Sequence, residues 1–189
     1  KEALTHIIAE RYIYTELAVR FAYGTDASCY RYIPEIVVRA KNEEEVRGII
    51  ALADQFLIPI TFRASGTSLS GQTSSDSVLI LLGDDFVGGR VLEDGMKIRL
   101  LPITIGQSAN NLLKPFGRKI GPDPATINTA RIGGIASNNS SGMCCGTKEN
   151  SYHTLDTIRV VFADGAILDT SSEKSIADFR ESHESLLND

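Results

Sequence analysis

Apolar residues along this chain change their spacing several times, and each change predicts an element. Leu4, Ile7, Ile8, Arg11 and Tyr12 fall at helical intervals, so an amphipathic helix is expected within residues 1–20. The run Tyr23-Gly-Thr-Asp26 breaks that pattern. Ile36-Val-Val-Arg39 is β-branched and follows Pro34, which predicts a strand. Asn42 with Glu45 three residues later has the form of a capping box. Val46, Ile49, Ile50, Ala53 and Leu57 then mark one face of a helix reaching about Phe56. Pro59 separates that helix from a second strand, Ile60-Thr-Phe62, completing a β-α-β unit. Val78–Leu82 and Lys97–Leu101 are further candidate strands, with turns at Gly88-Gly89 and Glu93-Asp-Gly95 between them. Ser108–Leu113 reads as a short helix stopped by Pro115 and Gly117. Ile158–Phe162 and Ala166–Leu168 flank Asp164-Gly165, a strong hairpin signal. The tail from Ser171 is polar, with a helix expected around Ile176–Leu187.

Two stretches carry no apolar period, and both look like ligand contacts. The first is Arg63-Ala-Ser-Gly-Thr-Ser-Leu-Ser-Gly-Gln72, directly after a strand. Gly66 and Gly71 permit positive φ and close approach of a ligand to the backbone. Consecutive amides in such a turn form a concave anion site, and Ser65, Thr67, Ser68 and Ser70 add hydroxyl donors. A nucleotide phosphate is the anion most often held this way. The plain alternative is a surface loop rich in Gly and Ser. A P-loop is the other rival, since Gly66 and Gly71-Gln72-Thr73 match its spacing. It fails because Gln72 replaces the phosphate-binding lysine and because a strand, not a helix, follows.

The second stretch is residues 121–147. Gly121-Pro-Asp-Pro-Ala-Thr126 is stiffened by its two prolines. Ile132-Gly-Gly-Ile-Ala-Ser-Asn-Asn-Ser-Ser-Gly142 offers small residues and amide side chains. So long a loop is functional or disordered. Ile127, Ile132 and Ile135 favour function, because they can tether it to a core.

Composition narrows the class. A hydrophobic share of 42% and a mean hydropathy of -0.04 describe a globular chain of 189 residues. A net charge of -5 argues against a nucleic-acid partner. No apolar run approaches the length of a membrane span, and the opening residues have no signal-peptide core. The absence of an initial Met suggests a trimmed chain. Three cysteines cannot all pair, and Cys144 and Cys145 are neighbours, so a reducing, cytoplasmic setting is expected. The three histidines and Cys29 show no metal-ligand spacing, so no metal site is expected.

Taken in order, these segments resemble the FAD-binding domain of the PCMH, or vanillyl-alcohol-oxidase, flavoproteins. The matching pieces are Ile36-Val-Val with its helix, Pro59 to Gln72, Gly121-Pro-Asp-Pro124, Ile132-Gly-Gly134, Asn138-Asn-Ser-Ser-Gly142 and Ala163-Asp-Gly165. The run Ser141-Gly-Met-Cys-Cys-Gly-Thr147 with Asn150-Ser-Tyr152 is similar to large bacterial D-2-hydroxyacid dehydrogenases, those of D-lactate and D-2-hydroxyglutarate, which add a C-terminal iron–sulfur domain.

The resemblance implies an α+β fold of two small subdomains, C-terminally truncated. It implies an N-terminal helical segment at 1–29, a partial FAD-binding domain at 30–170 and a polar tail at 171–189. FAD would lie between the subdomains. Arg63, Ala64, Ser65, Gly66, Thr67, Ser68, Leu69, Gly71 and Gln72 would wrap its diphosphate. Pro124, Ala125, Gly133, Gly134, Asn138, Asn139 and Gly142 would line the flavin and ribityl side. A D-2-hydroxy acid would be the substrate and the flavin its hydride acceptor; the alternative is a flavin- or nucleotide-binding module without catalysis. Catalytic residues and any iron–sulfur ligands would lie in parts not present here, the electron acceptor is unassigned, and the 189 residues alone would hold FAD weakly. Ile103 departs from the pattern, because the family has Gly after Pro102 where the chain approaches FAD. The Cys144-Cys145 pair reads as small buried residues.

Overall fold

The computed structural model describes residues 1–187. In chain order the elements are β1 (Ile13–Tyr14), α1 (Leu17–Ala22), β2 (Ile36–Ala40), α2 (Glu43–Gln55), β3 (Ile60–Arg63) and β4 (Val78–Leu82). Then come β5 (Gly89–Leu92), β6 (Lys97–Leu100), α3 (Gly106–Leu113), α4 (Ile132–Ser137), α5 (Ser151–Thr154), β7 (Arg159–Val161), β8 (Ile167–Asp169) and α6 (Glu173–Ser182). The architecture is α+β.

The main sheet has the order β1-β2-β4-β3. Strands β2, β4 and β3 are parallel, and β1 is antiparallel to β2. Strand β4 takes the central place because Val78, Leu79, Ile80 and Leu81 are buried, as a strand covered on both faces requires. Alternate residues feed two clusters. Val38, Ala40, Val78 and Ile80 pack with Val46, Ile49 and Ile50 of α2 and with Leu4, Ile8 and Ile13. Val37, Leu79 and Leu81 face the other way, with Tyr14 and Tyr23.

The helix expected within residues 1–20 is replaced by 3-10 turns at Glu2–His6 and Glu10–Tyr12, followed by β1. Ile13 pairs with Val38 at the sheet edge, so β pairing overrides a helical spacing that still places Leu4 and Ile8 in the core. Helix α2 starts as expected. Asn42 Oδ1 accepts from the Glu45 amide at 2.8 Å, and Glu45 Oε2 accepts from the Lys41 amide at 2.7 Å. Its end differs. Leu57 lies outside the helix at φ 52 and is 87% exposed, because the chain reverses there, with the Ile58 amide bonded to Ala53 O.

A second group of elements follows the sheet in the chain. Hairpin β5–β6 packs with α3, whose Ala109 and Leu113 are buried. Strand β5 was hidden in the sequence by Gly88-Gly89, which reads as a turn, although Gly89 begins the strand. Hairpin β7–β8 forms around Asp164-Gly165 as expected. It docks on α2 through Arg159 and Glu43 at 2.8 Å and through Arg47 Nε to Gly165 O at 2.9 Å. In the tail, α6 ends at Ser182, and a 3-10 turn follows at Glu184–Leu187. Phe179 of α6 meets Phe162 at 4.7 Å between ring centres.

Two stability outcomes follow from α2. Asn42→Ala removes the side-chain cap and is expected to cost about 1 kcal/mol; an unchanged denaturant midpoint would contradict the cap assignment. The Arg159 hydrogen bond holds the Glu43 carboxyl below its ordinary value of 4.5, against an opposing effect of burial. A depressed carboxyl contributes stability above its unfolded pKa and loses it as pH falls through the folded pKa. Acid titration of Tm should therefore show a steeper loss below about pH 4.5 in the wild type than in Arg159→Ala; superimposable curves would show that the pair contributes nothing.

Candidate functional site

The first predicted stretch begins where β3 ends. Arg63 is the last strand residue, and the chain then loops through residues 64–77 directly into β4. No phosphate-binding helix follows, consistent with the argument against a P-loop. Gly66 sits at φ 68 and Gly71 at φ 76, the left-handed region that Gly occupies at no steric cost. Ser68 organises the far half of the loop: its Oγ accepts from the amides of Ser70 at 3.2 Å and Gln72 at 3.4 Å and donates to Gln72 Oε1. Thr73 Oγ1 donates to Asp26 Oδ2 at 2.9 Å, and the Ala27 amide to Gly66 O at 3.0 Å, tying the loop to the chain after α1. Burial raises the Asp26 pKa, but hydrogen bonds from Ser28 and Thr73 outweigh it and hold the group below its ordinary value. Among the described residues, the amides of Ser65, Gly66, Thr67, Ser68, Leu69 and Gly71 donate to no protein acceptor. Those donors are available to an anion.

Arg63 folds back over this turn. Its Nη1 donates to Tyr23 O at 3.2 Å, and its guanidinium lies 5.6 Å from the Tyr23 ring centre. A Cβ at Gly66 would fall 2.3 Å from Arg63 Nη2, so the glycine makes room for the guanidinium. Burial pushes the Arg63 pKa down.

The second stretch is ordered by hydrogen bonds. Residues 124–130 form successive turns: Ile127 N donates to Pro124 O at 2.8 Å, and Ala130 N to Thr126 O at 2.7 Å, with Ala125 between. The strip is tied to α3, whose Gly106 and Gln107 amides donate to Ala130 O and Ile127 O, both at 3.0 Å. Gly133 and Gly134 lie within α4 and not in an open loop, because Arg131 bridges to Ile105 and the Gly133 amide bonds Pro102 O at 2.7 Å. Asn138 closes α4, and Asn139 adopts φ 51 while its Oδ1 accepts from the Tyr152 amide at 3.0 Å. Ser151 Oγ reaches Ser140 O at 2.7 Å and Ile135 O at 3.1 Å, so α5 fastens the 138–142 loop. Gly142 is pressed against the backbone of Asp123, where a Cβ would sit 1.8 Å from the carbonyl oxygen.

The two stretches meet at Ser65. Its Oγ donates to Thr129 O at 2.6 Å and accepts from Arg131 Nε at 3.1 Å. Arg131 Nη1 also donates to Ile103 O at 2.7 Å. A Cβ on Gly134 would stand 3.9 Å from the Ala64 methyl. Arg63, Ala64 and Ser65 therefore adjoin Thr129–Gly134. No hydrogen bond joins residues 67–72 to residues 121–142 among the described residues, and Leu69 is 80% exposed at the loop tip.

Between them is a cleft of about 200 Å³, lined in part by Arg39, Arg63, Ala64, Leu81, Ile103 and Arg131. Sequence reasoning singled out neither Arg39 nor Arg131. The available signal was a charged residue near the carboxyl end of a buried parallel strand, the end at which open α/β sheets bind ligands. Ile103 keeps its carbonyl on Arg131 and its amide on Phe86 O, main-chain bonds open to any residue, and its side chain is buried. The reading of the cysteine pair needs correction: Cys145 is buried, its thiol 3.3 Å from Gly142 O, while Cys144 is exposed because the two side chains point apart in a turn. Among the described residues, no group of three His, Cys, Asp or Glu side chains could hold a metal, and no helix is long and apolar enough to cross a membrane.

Comparison with known proteins places the fold and the family. D-2-hydroxyglutarate dehydrogenase of Haemophilus influenzae is 30% identical over 171 residues, covering 87% of this chain. Glycolate oxidase subunit GlcD of Escherichia coli is 28% identical over 148 residues, covering 77% of this chain and 30% of that protein. The chain spans only 16% of the length of the dehydrogenase relatives. Among solved structures, alkyldihydroxyacetonephosphate synthase superposes with a TM-score of 0.74 at 16% identity, covering 93% of this chain and 35% of that one. 6-Hydroxy-D-nicotine oxidase from Arthrobacter nicotinovorans gives 0.71 at 15% identity, covering 83% and 35%. These establish the α+β fold of PCMH-type FAD-binding domains. Residues 34–171 match the FAD binding domain family itself, so the chain belongs to that family, and its cofactor is FAD.

Proposed function

We propose that this chain is the FAD-binding portion of an enzyme that oxidises a D-2-hydroxy acid, D-lactate or D-2-hydroxyglutarate, to the 2-oxo acid. The observation that carries the reading is the set of unpartnered amides at Ser65–Leu69 and Gly71, held beside the small-residue strip by the Ser65 hydrogen bonds. It is supported by the continuous likeness to D-2-hydroxyglutarate dehydrogenases across most of the chain. FAD supplies the hydride acceptor. The chain's own residues bind and orient it. Amides of the 65–71 turn take the diphosphate, with Gly66 keeping the turn open and Ser68 and Gln72 holding its shape. Pro124, Ala125, Gly133 and Gly134, with Asn138, Asn139 and Gly142, wall the flavin and ribityl side. Ser151 and Tyr152 secure that wall from behind. The free cysteines favour a reducing, cytoplasmic setting.

The test uses the full-length protein. Flavin absorbance bands should accompany it, and D-lactate or D-2-hydroxyglutarate, but not the L-isomers, should bleach them and reduce an artificial acceptor. Bound flavin with no turnover of any D-2-hydroxy acid would sink the substrate assignment.

Two variants probe the site. Gly66→Val places a β-branched residue at positive φ and drives its Cβ into the Arg63 guanidinium. The purified variant should lose most of its FAD, and full flavin content would refute the turn's role. Cys145→Ser should keep near-normal flavin content, since its thiol only contacts nearby carbonyls; loss of colour would show that the thiol does more.

A further inference from the structure

Parallel pairing puts Arg39 of β2 and Arg63 of β3 in register with the same residue, Leu81 of β4. The three side chains stand in one row across the carboxyl ends of the strands, so the two arginine Cα atoms lie roughly 10 Å apart, two strand spacings. Leu81 belongs to the cluster with Tyr23, on the face opposite α2. Arg131 enters the same cleft from the second group of elements. Three guanidinium groups thus converge on one space.

None of them is in an ion pair. The ion pairs among the described residues engage Lys1, Arg20, Lys97, Lys119, Arg159 and His183, but not Arg39, Arg63 or Arg131. Arg39 Nε is buried without any hydrogen-bond partner. A buried, unpartnered donor on a charged group is costly, so a missing acceptor is implied. Asp84 is the one carboxylate lining the cleft. Asp26 also acts electrostatically on Arg63, so three cations meet two carboxylates and a positive excess remains, in a chain whose net charge is -5. Adjacency decides what they face, because the 65–71 amides open beside Arg63 and Ser65.

We propose that Arg39, Arg63 and Arg131 are the side-chain counter-charges of the cofactor's diphosphate, gripping it from the sheet side while the loop amides hold the other. Arg39 is the residue that gives the site its breadth, since it extends the positive row by two strands. This rests on the FAD assignment to the 65–71 turn. A diphosphate brings negative charge, spread over two phosphorus centres, to a cleft that keeps a positive excess. Arg131 has a second role in that grip: it fixes Ser65 against Ile103, so the loop and the cation move as a unit.

The test is reconstitution of the full-length apoprotein with FAD at several salt concentrations. Losing one charge-assisted hydrogen-bond group should weaken FAD binding roughly ten- to a hundredfold in Arg39→Gln. Arg39→Lys should recover part of that loss. The salt dependence should flatten in Arg39→Gln, because a screened attraction has been removed. In the wild type, millimolar inorganic pyrophosphate should compete with FAD, a measurement that does not depend on any variant folding. Wild-type FAD affinity and salt dependence in a folded Arg39→Gln, or absence of pyrophosphate competition, would overturn the proposal while leaving the FAD assignment standing. A wild-type apoprotein that takes up no FAD would instead remove the assignment beneath it.

Discussion

Insertion of β4 between β2 and β3 is the constraint on which the remaining structure depends. The strand is apolar at four successive positions, so it is stable only with both faces covered and both edges paired. Satisfying both edges makes three parallel strands end together. Their common end brings the last residues of the strands and those that follow to one line: Arg39 and Lys41, Arg63 and the 64–77 loop, Gly83 and Asp84. A polar edge is therefore a consequence of burying Val78–Leu81, not a separate invention.

The second constraint is how the outer elements are joined to that edge. The Ser65 hydroxyl is both donor and acceptor, toward Thr129 O and Arg131 Nε. Hydroxyls are suited to this because one rotor serves both directions. Ser65 is half-buried, so the joint depends on geometry and only in part on exclusion of water. The strip behind it is fixed far more thoroughly, through α3, Pro102 O and Ser151. A well-anchored wall facing a lightly anchored loop suits a cofactor that enters past the loop and rests on the wall.

Much of this was legible in the sequence, and the failures share a cause. Asn42 with Glu45, Val78–Leu82 and Asp164-Gly165 state their structures locally, because capping, continuous burial and hairpin turns depend on neighbours in sequence. Residues 1–20 did not: Ile13 becomes strand because Val38 is beside it, a partner 25 positions away. Gly89 looked like a turn and is a strand residue for the same reason, its pairing with Leu100. Within the site, backbone donors were legible because Gly and Ser announce them. Arg39 and Arg131 were not, since their meaning comes from register and from the opposite wall.

Ile103 shows how such distant compensation works. A side chain where the family pattern has Gly would ordinarily close a ligand's approach. Here the residue is largely buried, with its amide committed to Phe86 O and its carbonyl to Arg131. The guanidinium thereby gains a fixed acceptor on one side and Ser65 on the other. The amide and carbonyl contacts of Ile103 are main-chain bonds that a glycine would make equally, so the side chain itself adds apolar burial beside the cleft while the backbone holds the cation. Arg63 and Arg131, which line that cleft, suit an anionic ligand and would serve a neutral one poorly.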